Sequence, residues 1–269
     1  MIHLIPLLLY AAALGLWVRE LVQGPTDRSS LAPVIMTVAA VVAHLVALGD
    51  FRMRYGELPL VGPGAALSSL AFVGGLVLLV TLALREAARV AIGLLPFVVV
   101  VQGAAVILGI QPSPEALDLQ GAGFVLHVGL AFLGYQGFAV ASAAGFLYLV
   151  QHHELKAKRL GRFFRFLPPL TTLNRMVRIG LWTGFSSLSL ALVLAWRWSV
   201  EYRGGVEAGD PKVVWALLSW IVLASVLISR VPSARRDYRG AIASVAGFTV
   251  VVVTYLVLRL TVGGEGFFL

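Results

Sequence analysis

Residues 123–150 read GFVLHVGLAFLGYQGFAVASAAGFLYLV and form the longest apolar stretch of the chain. It contains no Asp, Glu, Lys or Arg, and it exceeds the about 20 apolar residues that a helix needs to cross a bilayer. Seven further apolar stretches lie at roughly 2–18, 31–49, 65–84, 88–109, 176–196, 212–229 and 241–262. Because none shows the alternating pattern of a barrel strand, the sequence predicts an all-α integral membrane protein with a bundle of about eight transmembrane helices.

The composition agrees with a chain that lies mostly in lipid. Of its 269 residues, 59% are hydrophobic and 13% charged, and the mean hydropathy is +0.91. A soluble domain carries about 25% charged residues, so this chain has too few to cover a water-exposed globule. No long polar block interrupts the apolar stretches. We therefore predict a single polytopic membrane domain over residues 1–269.

The distribution of basic residues predicts the orientation. Of the 21 Lys and Arg residues, 15 lie in one set of alternate loops and 6 in the other. Cytoplasmic loops carry the excess of positive charge, so we expect both termini outside and a location in the cytoplasmic membrane. The same rule accounts for the net charge of +8 without a nucleic-acid partner, for which no motif is present.

The basic segment 152–178 falls on the cytoplasmic side in this orientation. It carries seven Lys and Arg residues, with Phe163, Phe164 and Phe166 between them. This composition predicts a short amphipathic helix lying on anionic lipid headgroups. The alternative is a docking surface for a cytoplasmic protein.

The absence of cysteine limits the chemistry that the chain can perform. It excludes disulfides, thiolate metal sites and covalent attachment of haem to this chain. No Gly-x-Ser-x-Gly elbow, Walker loop or His-Glu-x-x-His motif is present, so we expect a protein that is not an enzyme. The five histidines then become the most informative side chains.

Two histidines are predicted to lie within the outer half of the membrane. His44 comes about 20 Å along the second span, which starts inside, and His127 about 6 Å below the outer edge in the fifth. Small residues follow His127 at helical spacing, which favours a position inside the bundle. Two imidazoles in one half of the bilayer could be the axial ligands of a haem iron. Hydrogen bonding to a neighbouring helix is the alternative, and the remaining histidines are predicted to be solvated at the interface: His3, His152 and His153.

Several short motifs follow one another in the second half of the chain: Leu126-His127 with Gly134-Tyr135, Tyr148 to Gln151, Glu154 to Lys158, Leu167-Pro168-Pro169-Leu170, Asp210-Pro211-Lys212-Val213, Gly240 and Gly247-Phe248. Together they resemble the motifs of the cytochrome c assembly membrane proteins. The resemblance covers about residues 120–260, in the order and at the spacing of the family. Within that superfamily the chain is most similar to the HemX-type branch.

The resemblance implies an eight-helix membrane protein that handles haem. It implies that His127 is an outer-face haem ligand and that a Trp-rich segment ending in Asp-Pro-Lys forms a platform for the porphyrin. The corresponding residues here are Trp196, Trp198, Lys212 and Trp215, although their spacing is looser than in the family and the family's histidine after the last span is absent from 263–269. An aromatic belt at the membrane interface is the alternative for the tryptophans, and an N-cap followed by proline is the alternative for Asp210-Pro211.

These observations lead to two functional hypotheses. In the first, the protein binds or passes noncovalent haem b in an outer-leaflet cavity and supports cytochrome c biogenesis, with His127 and His44 as candidate ligands and assembly subunits as partners. In the second, it is a HemX-type membrane regulator or scaffold that engages a cytoplasmic enzyme of tetrapyrrole synthesis, glutamyl-tRNA reductase, through the segment 152–178.

Overall fold

A computed structural model describes residues 2–23, 31–84, 88–113, 121–158, 161–205, 209–229 and 236–262. Arg28, Arg85, Arg159, Arg230 and Arg235, which contribute to the orientation count, lie outside the described residues, as does the segment 263–269. The described helices are α1 (Leu4–Gln23), α2 (Leu31–Tyr55), α3 (Pro63–Ala83), α4 (Ala91–Leu108), α5 (Ala122–Lys156), α6 (Arg162–Phe166), α7 (Leu170–Arg203), α8 (Pro211–Ile228) and α9 (Arg236–Val262), with a 3-10 turn at Ala88–Val90.

Eight of these helices are long and apolar enough to cross a membrane, namely every helix except α6. No strand occurs among the described residues. The predicted all-α bundle of about eight transmembrane helices is therefore confirmed. The side of the membrane on which the termini lie stays a prediction.

The helices pack in two groups along the chain. In the first, α1 packs against α2 and α4, and α3 packs against α4. In the second, α5 packs along α7 and also contacts α9, while α8 lies against α7 and α9. The groups meet where α3 and α4 contact α5. There Gln136 of α5 donates from Nε2 to the carbonyl oxygen of Leu70 in α3 at 2.9 Å, as expected for a polar side chain at membrane depth.

Small residues allow α5 to approach its neighbours closely. Gly134 packs against Leu188 and Gly184 of α7, and Gly145 lies against Ala241 of α9. A helix without side chains at these positions brings its backbone directly onto the partner helix, which is how membrane helices associate without a hydrophobic driving force. The predicted small-residue face of the fifth span is thus confirmed as an inward face.

The segment 152–178 contains a short helix, as predicted: α5 ends at Lys156, α7 begins at Leu170, and the five-residue helix α6 lies between them. Its contact with lipid headgroups stays a prediction. Phe166 is fully buried and packs edge-on against Trp17 of α1, with ring centroids 6.4 Å apart. The Arg89 guanidinium lies over the Phe166 ring, 5.3 Å from its centroid, and donates a hydrogen bond to the Phe166 carbonyl oxygen at 3.0 Å. An aromatic side chain in this segment therefore packs into the bundle instead of resting on headgroups.

Candidate functional site

His127 lies five residues into α5, half-buried, at the end of the helix that is predicted to face outward. Its Nδ1 is 2.8 Å from the carbonyl oxygen of Ala191 in α7. A carbonyl can only accept a hydrogen bond, so Nδ1 carries the proton and the lone pair lies on Nε2. Metal-binding histidines are commonly oriented by such a bond from the other ring nitrogen. No hydrogen bond to Nε2 occurs among the described residues, so this atom is available to a ligand.

The close packing of α5 on α7 fixes the acceptor of this hydrogen bond. Ala191 is 1% exposed, and Leu188, one turn before it, packs on Gly134. The imidazole therefore meets a backbone carbonyl held by the helix and not a mobile side chain. A backbone acceptor of this kind sets both the tautomer and the ring orientation.

An aromatic cluster lies on the same side of α5 as His127, two helical turns further along. Tyr135 packs against Trp215 of α8 with ring centroids 4.9 Å apart, and Trp215 packs against Tyr255 of α9 at 5.2 Å. The Trp215 indole N–H donates to the Val251 carbonyl at 3.3 Å. These contacts join α5, α8 and α9 through packed aromatic rings.

The other predicted tryptophans lie in different environments. Trp196 is 62% exposed on α7, as expected for the interfacial aromatic belt. Trp198 is half-buried near the end of the same helix. Trp220 of α8 donates from its indole N–H to Ser189 Oγ at 2.8 Å, so it links α8 to α7. Of the predicted Trp-rich platform, Trp215 is the residue that packs within the aromatic cluster.

Lys212 lies in the first turn of α8, one turn before Trp215. The Asp210 carboxylate accepts the Lys212 backbone N–H at 2.9 Å, and Pro211 occupies the first helical position. The N-cap predicted for Asp210-Pro211 is therefore confirmed. This cap fixes where α8 begins, and so places the Lys212 ammonium and the Trp215 ring on one helical turn.

His44 lies in the first group of helices, where each of its ring nitrogens has a hydrogen-bond partner. Its side chain is fully buried, with Nδ1 3.4 Å from the Tyr10 hydroxyl and Nε2 3.1 Å from Ser68 Oγ. The ring is also flanked edge-on by Tyr10 and Phe72. These bonds are the hydrogen bonding to neighbouring helices that the sequence left as the alternative. Ligation by His44 would require one ring nitrogen to leave its partner, and its pairing with His127 stays a prediction.

The three remaining histidines differ from one another. His3 packs edge-on against Phe51, and burial lowers the pKa of its imidazole. His153 is exposed, as predicted. His152 is half-buried and so only partly solvated, and it lies between two tyrosine rings: Tyr148 is stacked at 6.0 Å and Tyr238 lies at 5.0 Å. Its position beside α9 follows from the helix packing, which residue spacing does not reveal.

The set of donors restricts the kind of metal that could bind. No group of three or more His, Cys, Asp or Glu side chains that could hold a metal ion occurs in the part of the chain that the structure describes. A bare ion would need such a group. Haem iron needs only axial ligands from the protein, because the porphyrin supplies four nitrogens. A single imidazole oriented by a backbone carbonyl is a donor that haem iron can use.

Two residues of this region were not predicted as site residues. Tyr135 is part of the Gly134-Tyr135 motif and comes eight residues after His127, so its position on the same helical face was available from the sequence. Tyr255 lies in α9, far along the chain, and no pattern around it indicates contact with Trp215. Only the packing of α8 on α9 brings the two rings together.

The fold and the site define a polytopic helical membrane protein with an oriented imidazole near one membrane face. A family model for cytochrome C assembly protein matches residues 64–264. The chain belongs to this family of cytochrome c assembly proteins.

Two of the similar proteins are cytochrome c biogenesis proteins and a third is uncharacterised. The chain is 31% identical over 158 residues to the cytochrome c biogenesis protein CcsA of Chlamydomonas reinhardtii, covering 58% of this chain and 42% of the relative. It is 29% identical over 197 residues to CcsA of Heterosigma akashiwo, covering 60% and 61%. An uncharacterised 28.8 kDa protein of Azospirillum brasilense is 30% identical over 186 residues, covering 68% and 65%. The chain thus spans less than two thirds of the length of these relatives.

Proposed function

We propose that this protein binds haem b noncovalently at the outer end of α5, through Nε2 of His127, and supports cytochrome c biogenesis without catalytic activity of its own. The observation that carries the proposal is the 2.8 Å hydrogen bond from His127 Nδ1 to the Ala191 carbonyl. It leaves the Nε2 lone pair for iron and fixes the direction in which that lone pair points. The names of the relatives support the cytochrome c context.

Each further residue has a distinct part in this proposal. The rings of Tyr135, Trp215 and Tyr255 offer apolar surface for the porphyrin, and Lys212 is one turn from Trp215 and can pair with a propionate. When bound, haem supplies an iron centre whose axial coordination the protein controls. The α5–α7 packing holds the imidazole in place, and the cap at Asp210 fixes the backbone at Lys212.

The test is the spectrum of protein purified from haem-replete cells. We expect a Soret band in the wild type and its loss in His127→Ala, with the bundle intact by thermal unfolding. His153→Ala is the matched control, because this exposed histidine should leave the band unchanged. A Soret band of full intensity in His127→Ala would contradict the proposal.

The His44→Ala variant addresses the second axial ligand. If His127 alone supplies the protein nitrogen, this variant keeps the position of the Soret band and loses only stability. If the two histidines coordinate one iron, as the sequence predicts, His44→Ala converts a six-coordinate low-spin spectrum into a five-coordinate one. The first outcome is the one that the contacts of His44 with Tyr10 and Ser68 favour.

A second candidate is the HemX-type regulator that engages a cytoplasmic enzyme of tetrapyrrole synthesis. The observation in its favour is a group of exposed basic side chains at the α5–α7 turn, namely Lys156, Lys158, Arg165, Arg175 and Arg178. A photo-crosslinker at position 158 would capture glutamyl-tRNA reductase if this candidate is right. Unchanged reductase levels after deletion of the gene, together with no capture, would refute it.

A further inference from the structure

One face of α7 carries exposed side chains in the order expected of a helix that crosses the bilayer boundary. Ile179 and Trp182 are 50% and 57% exposed, and Leu190, Val193 and Trp196 continue the exposed apolar strip. The two tryptophans are fourteen residues apart, which is about 21 Å along the helix. Tryptophan side chains concentrate at membrane–water interfaces. This separation is shorter than the hydrocarbon core of about 30 Å. The charged residues Arg178 and Arg175 lie just N-terminal to Trp182, so Trp182 lies near the level at which α7 leaves the core at that end.

Two arginines follow immediately on the headgroup side of Trp182. Arg175 and Arg178 are three residues apart on α7, and Arg178 is four residues from Trp182. These spacings place all three side chains next to one another on one face of the helix. Both arginines are exposed, and no ion pair joins either of them to a residue that the structure describes.

We infer that Arg175, Arg178 and Trp182 form a binding site for the headgroup of an anionic phospholipid. Two neighbouring guanidinium groups can hold one phosphodiester by charge-assisted hydrogen bonds, which match phosphate geometry better than an ammonium group does. The indole ring lies at the level of the glycerol and ester groups, where its N–H can reach a polar partner. The exposed Ile179 and the strip beyond it offer a surface for the acyl chain.

The charge and the position of the site favour a lipid over a soluble acidic protein. α7 has 34 residues and is therefore about 51 Å long, against about 30 Å for the hydrocarbon core, so its ends extend into the headgroup region. A soluble partner that reached Arg175 would meet Trp182 and Ile179 at the depth of the lipid. Only a molecule with an anionic head and an apolar tail matches the whole surface. This inference does not depend on the proposed haem site.

The experiment uses the full-length protein in nanodiscs of phosphatidylcholine that contain a minor fraction of lipid with brominated acyl chains. Bromine quenches tryptophan fluorescence on contact, and the Trp182 contribution is the difference between wild type and Trp182→Phe. We expect brominated phosphatidylglycerol to be enriched at Trp182 by at least about fivefold over brominated phosphatidylcholine, which is the effect of one basic side chain near an anionic surface.

The variants separate this site from general attraction to a negative membrane. Arg175→Gln with Arg178→Gln should abolish the preference while thermal unfolding in phosphatidylcholine stays unchanged, since both side chains are exposed. Lys156→Gln with Lys158→Gln removes the same charge from the end of α5 and should keep the preference. Equal quenching of Trp182 by the two brominated lipids in the wild type would overturn the inference. Full reversal of the quenching by soluble glycerol phosphate would also overturn it, because the ligand would then be the headgroup alone.

Discussion

Gly137 of α5 and Gly180 of α7 meet backbone to backbone. A Cβ atom added to Gly137 would lie 2.7 Å from the Gly180 carbonyl oxygen and equally close to the Gly184 nitrogen. No flexible side chain stands between the helices here, so nothing can move aside except the helices themselves. This contact sets the separation of α5 and α7, and through it the distance from His127 to Ala191.

Gly137→Ala is therefore expected to destabilise the protein. Inserting a methyl group into a tight contact costs about 1–3 kcal/mol, and thermal unfolding in detergent measures the loss. Gly129→Ala is the matched control in the same helix, because no atom lies within 4 Å of its added Cβ. There alanine should be neutral or slightly stabilising. Equal stability of the two variants would show that the α5–α7 contact is not as tight as described.

The hydrogen bonds of His44 predict a second stability effect. Tyr10→Phe and Ser68→Ala each remove one partner of the buried imidazole, and each should cost about 1 kcal/mol. Because both act on one ring, the double variant should show coupling in a thermal-unfolding cycle. Ser225→Ala serves as the control, since that exposed hydroxyl bonds only to its own helix. Losses of stability no larger than that of Ser225→Ala would show that the hydrogen bonds of Tyr10 and Ser68 to His44 do not stabilise the protein.

The contacts of Arg89 with Phe166 are expected to hold α6 in place. Its guanidinium donates to the Phe166 carbonyl and lies over the Phe166 ring, so Arg89→Gln removes both contacts. We expect faster tryptic cleavage after Arg162 and Arg165, detected by mass spectrometry of the fragments, with little change in global unfolding. The control is Arg52→Gln, an exposed arginine elsewhere on the surface. Unchanged cleavage kinetics would mean that burial of Phe166 alone anchors α6.

The orientation can be tested cleanly because the chain contains no cysteine. With both termini outside, Lys158→Cys at the end of α5 should react with an impermeant maleimide only after the cytoplasmic face is opened. Gly205→Cys, which follows α7 at the opposite end, should react in intact cells. The reverse pattern would overturn the orientation inferred from the 15-to-6 distribution of basic residues.

Features that depend on local composition could be predicted from the amino-acid sequence. Apolar stretches of helical length predict the eight spans, since a backbone in lipid must satisfy its own hydrogen bonds. The helical face that begins at His127 follows from spacing alone, as does the cap at Asp210. The family motifs around His127 belong to the same kind of local information.

Contacts between side chains of different helices became visible only in the folded bundle. Sequence spacing gives a depth to His44 and His127 but not a lateral position, and the bundle places His44 between Tyr10 and Ser68, where both ring nitrogens have partners. His127 instead meets a single backbone carbonyl, that of Ala191, 64 residues further along the chain. Contacts between helices that are distant in sequence depend on close packing over the whole bundle, where each interface restricts the next. They therefore cannot be predicted from the local pattern of residues.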